Sequence, residues 1–360
     1  MGPRRFRRQA IVATVLVATI LWLMHSFEYE NADLASNTPL LLKYIHPPSE
    51  KGGVWYIPPS WLDNATSKPE SIVKAAKLAS DKTQAPQRQI PLSSIPMIVH
   101  QTWKNTDLQT WPQPIRQSTE KWLRAVEADE MAYFLWDDDG INQFIKHFEP
   151  GLETQFYALA SNVERTDVFR VLVSKWIGGV YGDMDTEPLR KPKDWINASD
   201  IQSWRDTETG DVYRSTKPVR AVVGLEADCP PIWAFAWAPG HPILQMFIDR
   251  FSAAMQEMPS EAVDPLVMTG PVAFSEAVQS WLRETTGLRW NALTGLHDGG
   301  GASKYGNMGS KPPTDPSARL LHRAQGSWRK FDLVVEYGKF CRTVFGRCRE
   351  WTKVPHTSSF

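Results

Sequence analysis

The sequence predicts an α/β domain with a mainly parallel sheet. Three observations carry that expectation. Short apolar runs of strand character recur along the chain, segments with helical spacing stand between them, and one apolar run entered through a double glycine ends in two aspartates. Strands alternating with helices pack as a helix-covered sheet, and ligands then bind beyond the carboxyl ends of the strands. In chain order, Ile95–His100 and Ala132–Trp136 read as strands. Val163–Ile177 has helical spacing, with apolar Val168, Val171, Leu172 and Trp176. Gly178 and Gly179 turn the chain into a strand through Val180 and Tyr181. Ala221–Leu225 and Trp233–Trp237 read as strands, Pro242–Met255 and Pro271–Leu282 as helices, and Phe331–Val335 as a last strand.

Composition narrows the function classes. The 360 residues include 40 basic and 40 acidic side chains, and that balance argues against a nucleic-acid binder. With 42% hydrophobic and 22% charged residues, wholesale disorder is excluded. Three cysteines and no CxxC pair exclude a disulfide-stapled miniprotein and a cysteine zinc site.

The charges are unevenly distributed. Arg4, Arg5, Arg7 and Arg8 precede an uncharged run from Ala10 to Met24. The positive-inside rule makes this a signal anchor with the rest of the chain luminal. At about 15 residues the run is short for a span, so a cleaved signal peptide is the alternative. The segment ending Leu23-Met24-His25-Ser26-Phe27 is a poor cleavage site. Two sequons, at Asn64 and Asn197, suit a lumen, as does a Cys341–Cys348 bridge, for which three buried thiols are the alternative. Residues 28–94, with Pro47, Pro48, Pro58, Pro59, Pro69, Pro86 and Pro91, read as a stem with one short helix near Ser71–Ala79. Trp55 and Trp61 suggest that part of it packs on the body. The expected organisation is a cytosolic tail over 1–9, an anchor over 10–27, a stem over 28–94, a catalytic domain over 95–350 and a tail over 351–360.

The sharpest motif is Gly178-Gly179-Val180-Tyr181-Gly182-Asp183-Met184-Asp185-Thr186. In extended chain alternate side chains share a face, so Asp183 and Asp185 can point together at one Mg²⁺ or Mn²⁺. Such a cation can hold a diphosphate and offset its charge as it leaves. A solvated turn is the bland alternative. A phosphatase Asp pair is disfavoured because Glu187 stands two places beyond the second aspartate. Asp167 and Arg170 lie three apart on an almost wholly apolar helix, where charges need a partner or a ligand. His100 reads as a structural residue capping a strand, and Asp137-Asp138-Asp139 as the cap of a helix starting near Gly140 rather than a metal cluster.

Several of these segments together resemble the family 32 glycosyltransferases. Ile95-Pro96-Met97-Ile98-Val99-His100-Gln101-Thr102-Trp103-Lys104 looks like the family's opening strand. Arg165-Thr166-Asp167-Val168-Phe169-Arg170 with Gly178 to Asp185 looks like its core signature. Thr269-Gly270-Pro271, Gly306 to Ser310, Asp315-Pro316, His322 and Gly326-Ser327-Trp328 are similar to a fungal Golgi subgroup, the initiation-specific α-1,6-mannosyltransferases. The resemblance covers roughly residues 95–330. It implies a GT-A fold, a GDP-mannose donor, Mn²⁺ or Mg²⁺, and retention of anomeric configuration. Asp183 and Asp185 would then contact the metal and the nucleotide sugar, and His322 would complete the metal shell. Asp167 and Arg170 would hold the donor sugar, Trp103 would line the nucleoside pocket, Tyr181 would lie beside the donor, and Arg329 and Lys330 would neutralise the diphosphate. Glu226, Asp228 and Asp298 are candidates for steadying a cationic sugar, and Gly299-Gly300-Gly301 beside Tyr305 for a lid. The expected acceptor is an N-linked oligomannose, with Golgi mannosyltransferase complexes as partners and no nucleic acid. An inositol phosphoceramide acceptor and a catalytically silent complex subunit are the alternatives.

Overall fold

The structure is a computed structural model that describes residues 14–20, 38–45, 51–63, 68–159, 161–201, 203–206, 209–213, 218–224, 230–257, 265–288 and 318–323. Its centre is a six-stranded mixed sheet in the order β1-β3-β2-β4-β9-β8. The strands are β1 (Gly53–Tyr56), β2 (Ile98–Thr102), β3 (Ala132–Trp136), β4 (Gly179–Gly182), β8 (Ala221–Val223) and β9 (Ala234–Trp237). Only the pairings β2–β3 and β2–β4 are parallel, while β1–β3, β4–β9 and β8–β9 are antiparallel. The expected mainly parallel sheet is therefore corrected to a parallel centre with antiparallel flanks. Alternation of strands and helices predicts the centre, but it carries no information on strands returning through irregular connections.

The helices are α1 (Pro39–Tyr44), α2 (Ile72–Lys82), α3 (Gln113–Asp129), α4 (Asp138–Phe148), α5 (Glu153–Ala158), α6 (Asn162–Trp176), α7 (Pro242–Glu257), α8 (Pro265–Met268) and α9 (Pro271–Thr286). Of these, α3 escaped the sequence reading: its apolar stripe is interrupted by Arg116, Ser118, Thr119 and Glu120, all buried. Two further ladders lie outside the main sheet. β5 (Thr186–Pro188) pairs with β10 (Leu320–His322), and β6 (Trp204–Arg205) pairs with β7 (Val212–Tyr213), both antiparallel. The Phe331–Val335 strand expectation lies outside the described residues.

The described part of the expected stem belongs to the body. β1 lies on the sheet edge, in register with β3 from Gly53↔Trp136 to Tyr56↔Tyr133. Leu41, Ile72 and Ile90 are fully buried. The buried Glu120 carboxylate of α3 accepts the Leu40 and Leu41 amides at 3.0 Å each, holding α1 in place. The prolines misled because Pro59 and Pro86 each open a 3₁₀ turn, where the missing N–H costs nothing. The expected short helix near Ser71–Ala79 is α2, capped by Ser71, whose hydroxyl accepts the Lys74 amide, and, as expected, Asp137 caps α4 through the Gly140 amide at 2.8 Å. Of the expected anchor only residues 14–20 are described; they are helical, with Val15, Leu16 and Val17 exposed. Among the described residues no helix is long and apolar enough to cross a membrane.

The double glycine has a backbone reason. Gly178 (φ +73) ends α6 in the left-handed region, its amide donating to the Val173 carbonyl at 3.3 Å. Gly179 starts β4 at φ +101, and a Cβ there would stand 2.5 Å from the Ile98 carbonyl oxygen. Gly179→Ala should therefore cost about 2 kcal/mol or more in urea unfolding. Gly151→Ala, whose Cβ meets nothing within 4 Å, should be nearly neutral. Equal stability of the two variants would refute the steric account.

Candidate functional site

β4 ends beside α6, and the junction buries a guanidinium between two carboxylates. α6 starts at a capping box formed by Ser161 and Glu164. Its inward face carries Asp167 and Arg170, 7% and 6% exposed. Arg170 Nη2 lies 3.2 Å from Asp167 Oδ1 and 3.2 Å from Asp183 Oδ1. Its Nη1 donates to the Ile232 carbonyl at 3.1 Å, and the guanidinium lies over the Tyr181 ring at 5.2 Å. The Tyr181 hydroxyl donates to Asp183 Oδ1 at 2.9 Å and lies 3.0 Å from Thr102 Oγ1. Thr269, fully buried before α9, donates to Asp167 Oδ2 at 3.4 Å. Residues from α6, β2, β4 and the segment before α9 thus form one hydrogen-bonded floor.

The two motif aspartates are not arranged by strand alternation. Asp183 to Thr186 is a turn in which the Thr186 amide donates to the Asp183 carbonyl at 2.9 Å. The Gln101 amide nitrogen donates to the same carbonyl at 3.3 Å, and Tyr133 donates to Gln101 Oε1 at 2.9 Å. Met184 between them is buried at 2% exposure, and Asp185 lies near enough to push the Asp183 carboxyl upward. Asp183 belongs to the Arg170 floor. Asp185 Oδ1 instead lies 3.4 Å from His322 Nε2. The His322 ring stacks on Trp233 at 4.5 Å and 14°, and the Arg323 amide donates to the Asp185 carbonyl at 2.8 Å.

Among the described residues no three His, Cys, Asp or Glu side chains cluster closely enough to hold a metal by themselves. Asp185 and His322 form a two-donor edge. Their 3.4 Å separation is long for a hydrogen bond and close to the roughly 3 Å between adjacent donors around a small divalent cation. Mg²⁺-type ions are commonly held by one or two carboxylates together with substrate phosphates, so this edge fits such an ion. Asp183 keeps 27% of its side chain exposed, and the charges of Asp185 and His322 both act on it.

The charges follow from burial. Desolvation raises the Asp183 carboxyl, and Arg170 opposes the shift. Desolvation pushes Asp167 up to about 7, against the pull of Arg170 and with a push from Asp183. Burial acts to weaken the Arg170 cation, but Asp183, then Tyr181 and Asp167, outweigh it and hold the charge. His100 is structural, as expected: burial lowers it to about 3. Its Nδ1 accepts from Trp136 Nε1 at 3.2 Å, leaving Nε2 to donate to the Gly178 carbonyl at 3.0 Å.

The structure brings together Asp167, Arg170, Tyr181 and Asp183, with Asp185 and His322 in contact with each other and close enough for both to act on the Asp183 charge. Trp103 follows β2, meets Trp111 edge-on at 6.2 Å, and has a buried Nε1 without a hydrogen-bond partner. Arg329, Lys330, Glu226, Asp228, Asp298, Gly299-Gly300-Gly301, Tyr305 and all three cysteines lie outside the described residues, as does the Asn64 sequon. Trp233, Thr102 and Thr269 were not read from the sequence as site residues. Thr102 and Thr269 lie within segments that carry the family resemblance but were given no role there, and an aromatic in an apolar strand, Trp233, carries no local signal of one.

The Asp167 shift has a stability consequence. A carboxyl whose value rises from 3.8 unfolded to about 7 folded favours folding in its protonated form, so stability falls as pH rises between those values. The urea midpoint of the metal-free chain should drop from about pH 5 to about pH 8, and the drop should be shallower in Asp167→Asn. Identical slopes would assign the titration to another group.

Residues 112–202, from the start of α3 past β5, match the family described as a glycosyltransferase sugar-binding region containing a DXD motif. The initiation-specific α-1,6-mannosyltransferase of Schizosaccharomyces pombe is 29% identical over 212 residues, 49% of this chain and 50% of that protein. Inositol phosphoceramide mannosyltransferase 3 of the same yeast is 30% identical over 212 residues, 56% of this chain and 49% of that protein. The initiation-specific α-1,6-mannosyltransferase of Saccharomyces cerevisiae is 29% identical over 211 residues, 48% of this chain and 43% of that protein. The chain spans about half the length of these curated relatives. The chain carries a DXD-type glycosyltransferase region and is similar to the fungal mannosyltransferases of family 32.

Proposed function

We propose that the chain is a retaining α-mannosyltransferase of GT-A fold. It transfers mannose from GDP-mannose to an N-linked oligomannose, with α-1,6 linkage, in the Golgi lumen. The observation that carries this reading is the Asp183–Asp185 turn at the exit of β4, with the Asp167–Arg170 pair buried beside it and His322 at its edge. The relatives named above support mannose as the transferred sugar.

A divalent cation at Asp185 and His322 would supply electrostatic stabilisation of the leaving diphosphate. The chain's own residues do the rest. Asp167, fixed by Arg170 and Thr269, offers a carboxylate to donor sugar hydroxyls. Arg170 is held by four contacts and orients Asp183 without spending rotamer freedom on binding. Tyr181 stays protonated, because burial raises its phenol, and it donates to Asp183. Trp103 offers an aromatic face to the nucleoside. In a retaining transfer the acceptor hydroxyl approaches the face from which the diphosphate departs. The C–O bond to phosphate breaks, the new glycosidic bond forms, and the departing phosphate oxygen takes the hydroxyl proton. Inositol phosphoceramide is the alternative acceptor, because one relative of similar identity is an inositol phosphoceramide mannosyltransferase.

Purified chain supplied with GDP-mannose and Mn²⁺ should release GDP in the presence of an oligomannose. Asp183→Ala or Asp185→Ala should lower turnover about a hundredfold or more, and EDTA should abolish it. Turnover persisting in EDTA would remove the metal from the mechanism. Transfer to inositol phosphoceramide but not to oligomannose would reassign the acceptor. Absence of binding to GDP-mannose or GDP with Mn²⁺ would favour a silent subunit.

A further inference from the structure

The edge that carries His322 is made of very little backbone. β5 and β10 pair over three residues, Leu320↔Pro188, Leu321↔Glu187 and His322↔Thr186. A two-stranded ladder of that length is not self-supporting in water. What fastens it is a buried carboxylate. Glu187, with 4% of its side chain exposed, accepts Arg323 Nε at 2.9 Å and Arg323 Nη2 at 2.9 Å. It also accepts Lys121 Nζ at 2.6 Å and Ser118 Oγ at 3.3 Å.

The two ends of the fork have telling neighbours. Glu187 lies two positions after Asp185, and Arg323 directly follows His322. The Arg323 amide donates to the Asp185 carbonyl, so one residue bonds both the carrier of Asp185 and the strand behind it. Lys121 alone would supply a counter-charge for the buried Glu187. The second cation, in bidentate geometry, adds direction, because a planar fork fixes the rotation of β10 about its axis. That rotation decides whether the His322 ring faces Asp185 and lies flat on Trp233.

We propose that Glu187 and Arg323 are positioning residues whose ion pair aims His322 at the divalent cation shared with Asp185. The inference rests on the metal-dependent reading above. It assigns to two residues outside the DXD motif the task that outer-shell carboxylates perform at metal sites, where their loss commonly weakens metal binding about 10- to 100-fold.

The test is Mn²⁺ binding by the full chain with GDP, read from the EPR signal of free Mn²⁺, with thermal melting in parallel. Arg323→Lys keeps the charge and loses the fork. It should weaken Mn²⁺ binding about tenfold with little change in melting, and Glu187→Gln should weaken binding likewise with a lower melting temperature. Lys121→Ala removes a point charge and keeps the fork, and should change binding by about twofold or less. The decisive measurement is the double variant Arg323→Lys with His322→Ala. If Arg323 acts through His322, the pair binds Mn²⁺ no more weakly than His322→Ala alone. Additive losses would overturn the proposal, as would an Arg323→Lys chain that binds Mn²⁺ like the parent. Should Glu187→Gln fail to fold, Arg323→Lys alone decides. No Mn²⁺ binding by the parent chain would instead overturn the metal reading itself, which separates the two failures.

Discussion

Arg170 is a cation held beneath the protein surface, and the site is organised around keeping it charged there. A guanidinium does not shed its proton in a protein, so burial must be met with carboxylates and carbonyls. Asp167 meets it from one turn earlier on α6, Asp183 from the end of β4, and the Ile232 carbonyl from the segment before β9. These elements are thereby pinned to one another. Removing one partner from such a buried set leaves an uncompensated charge and typically costs about 3–5 kcal/mol. The two carboxylates share one cation, so neither is fully compensated, and burial raises both.

A second constraint acts on the motif's backbone. The left-handed glycines bring β4 in against β2 closely enough for Tyr181 to reach both Thr102 and Asp183. Tyr181 and Asp183 are two residues apart and share a face, as strand alternation requires. Beyond Asp183 the alternation stops, because its carbonyl is captured by Thr186 and Gln101. Met184 turns into the protein, and Asp185 is delivered to a different neighbour. The two carboxylates therefore have different nearest partners, Asp183 in the Arg170 floor and Asp185 facing His322, while each remains within reach of the other's charge.

Much of the central sheet was legible because its signals are local. The Ala132–Trp136 strand and the α6 helix declare themselves by composition and spacing within a few residues, and Ser71 and Asp137 announce helix starts through their own side chains. The stem was misread for the converse reason. β1 is four residues long and its partner β3 lies far along the chain, so nothing near Gly53 reveals that Trp136 waits opposite. β10 was missed likewise. Its three residues acquire strand character only through β5 and the Glu187–Arg323 pair, whose members are 136 positions apart.

The late histidine entered only through the resemblance to a family, whereas the sequence by itself offered carboxylates after a double-glycine strand and an Asp–Arg pair on an apolar helix. Residue type and short-range spacing suffice for that, because charge, protonation and backbone freedom belong to single residues. Tertiary structure alone decided the assignments. It gave Asp183 to Arg170, gave Asp185 to His322, placed Trp233 under the imidazole, and set Thr269 on Asp167. Those choices depend on which distant segments the sheet and its short ladders bring within a few ångströms, and long-range pairing of that kind leaves no local trace in the chain.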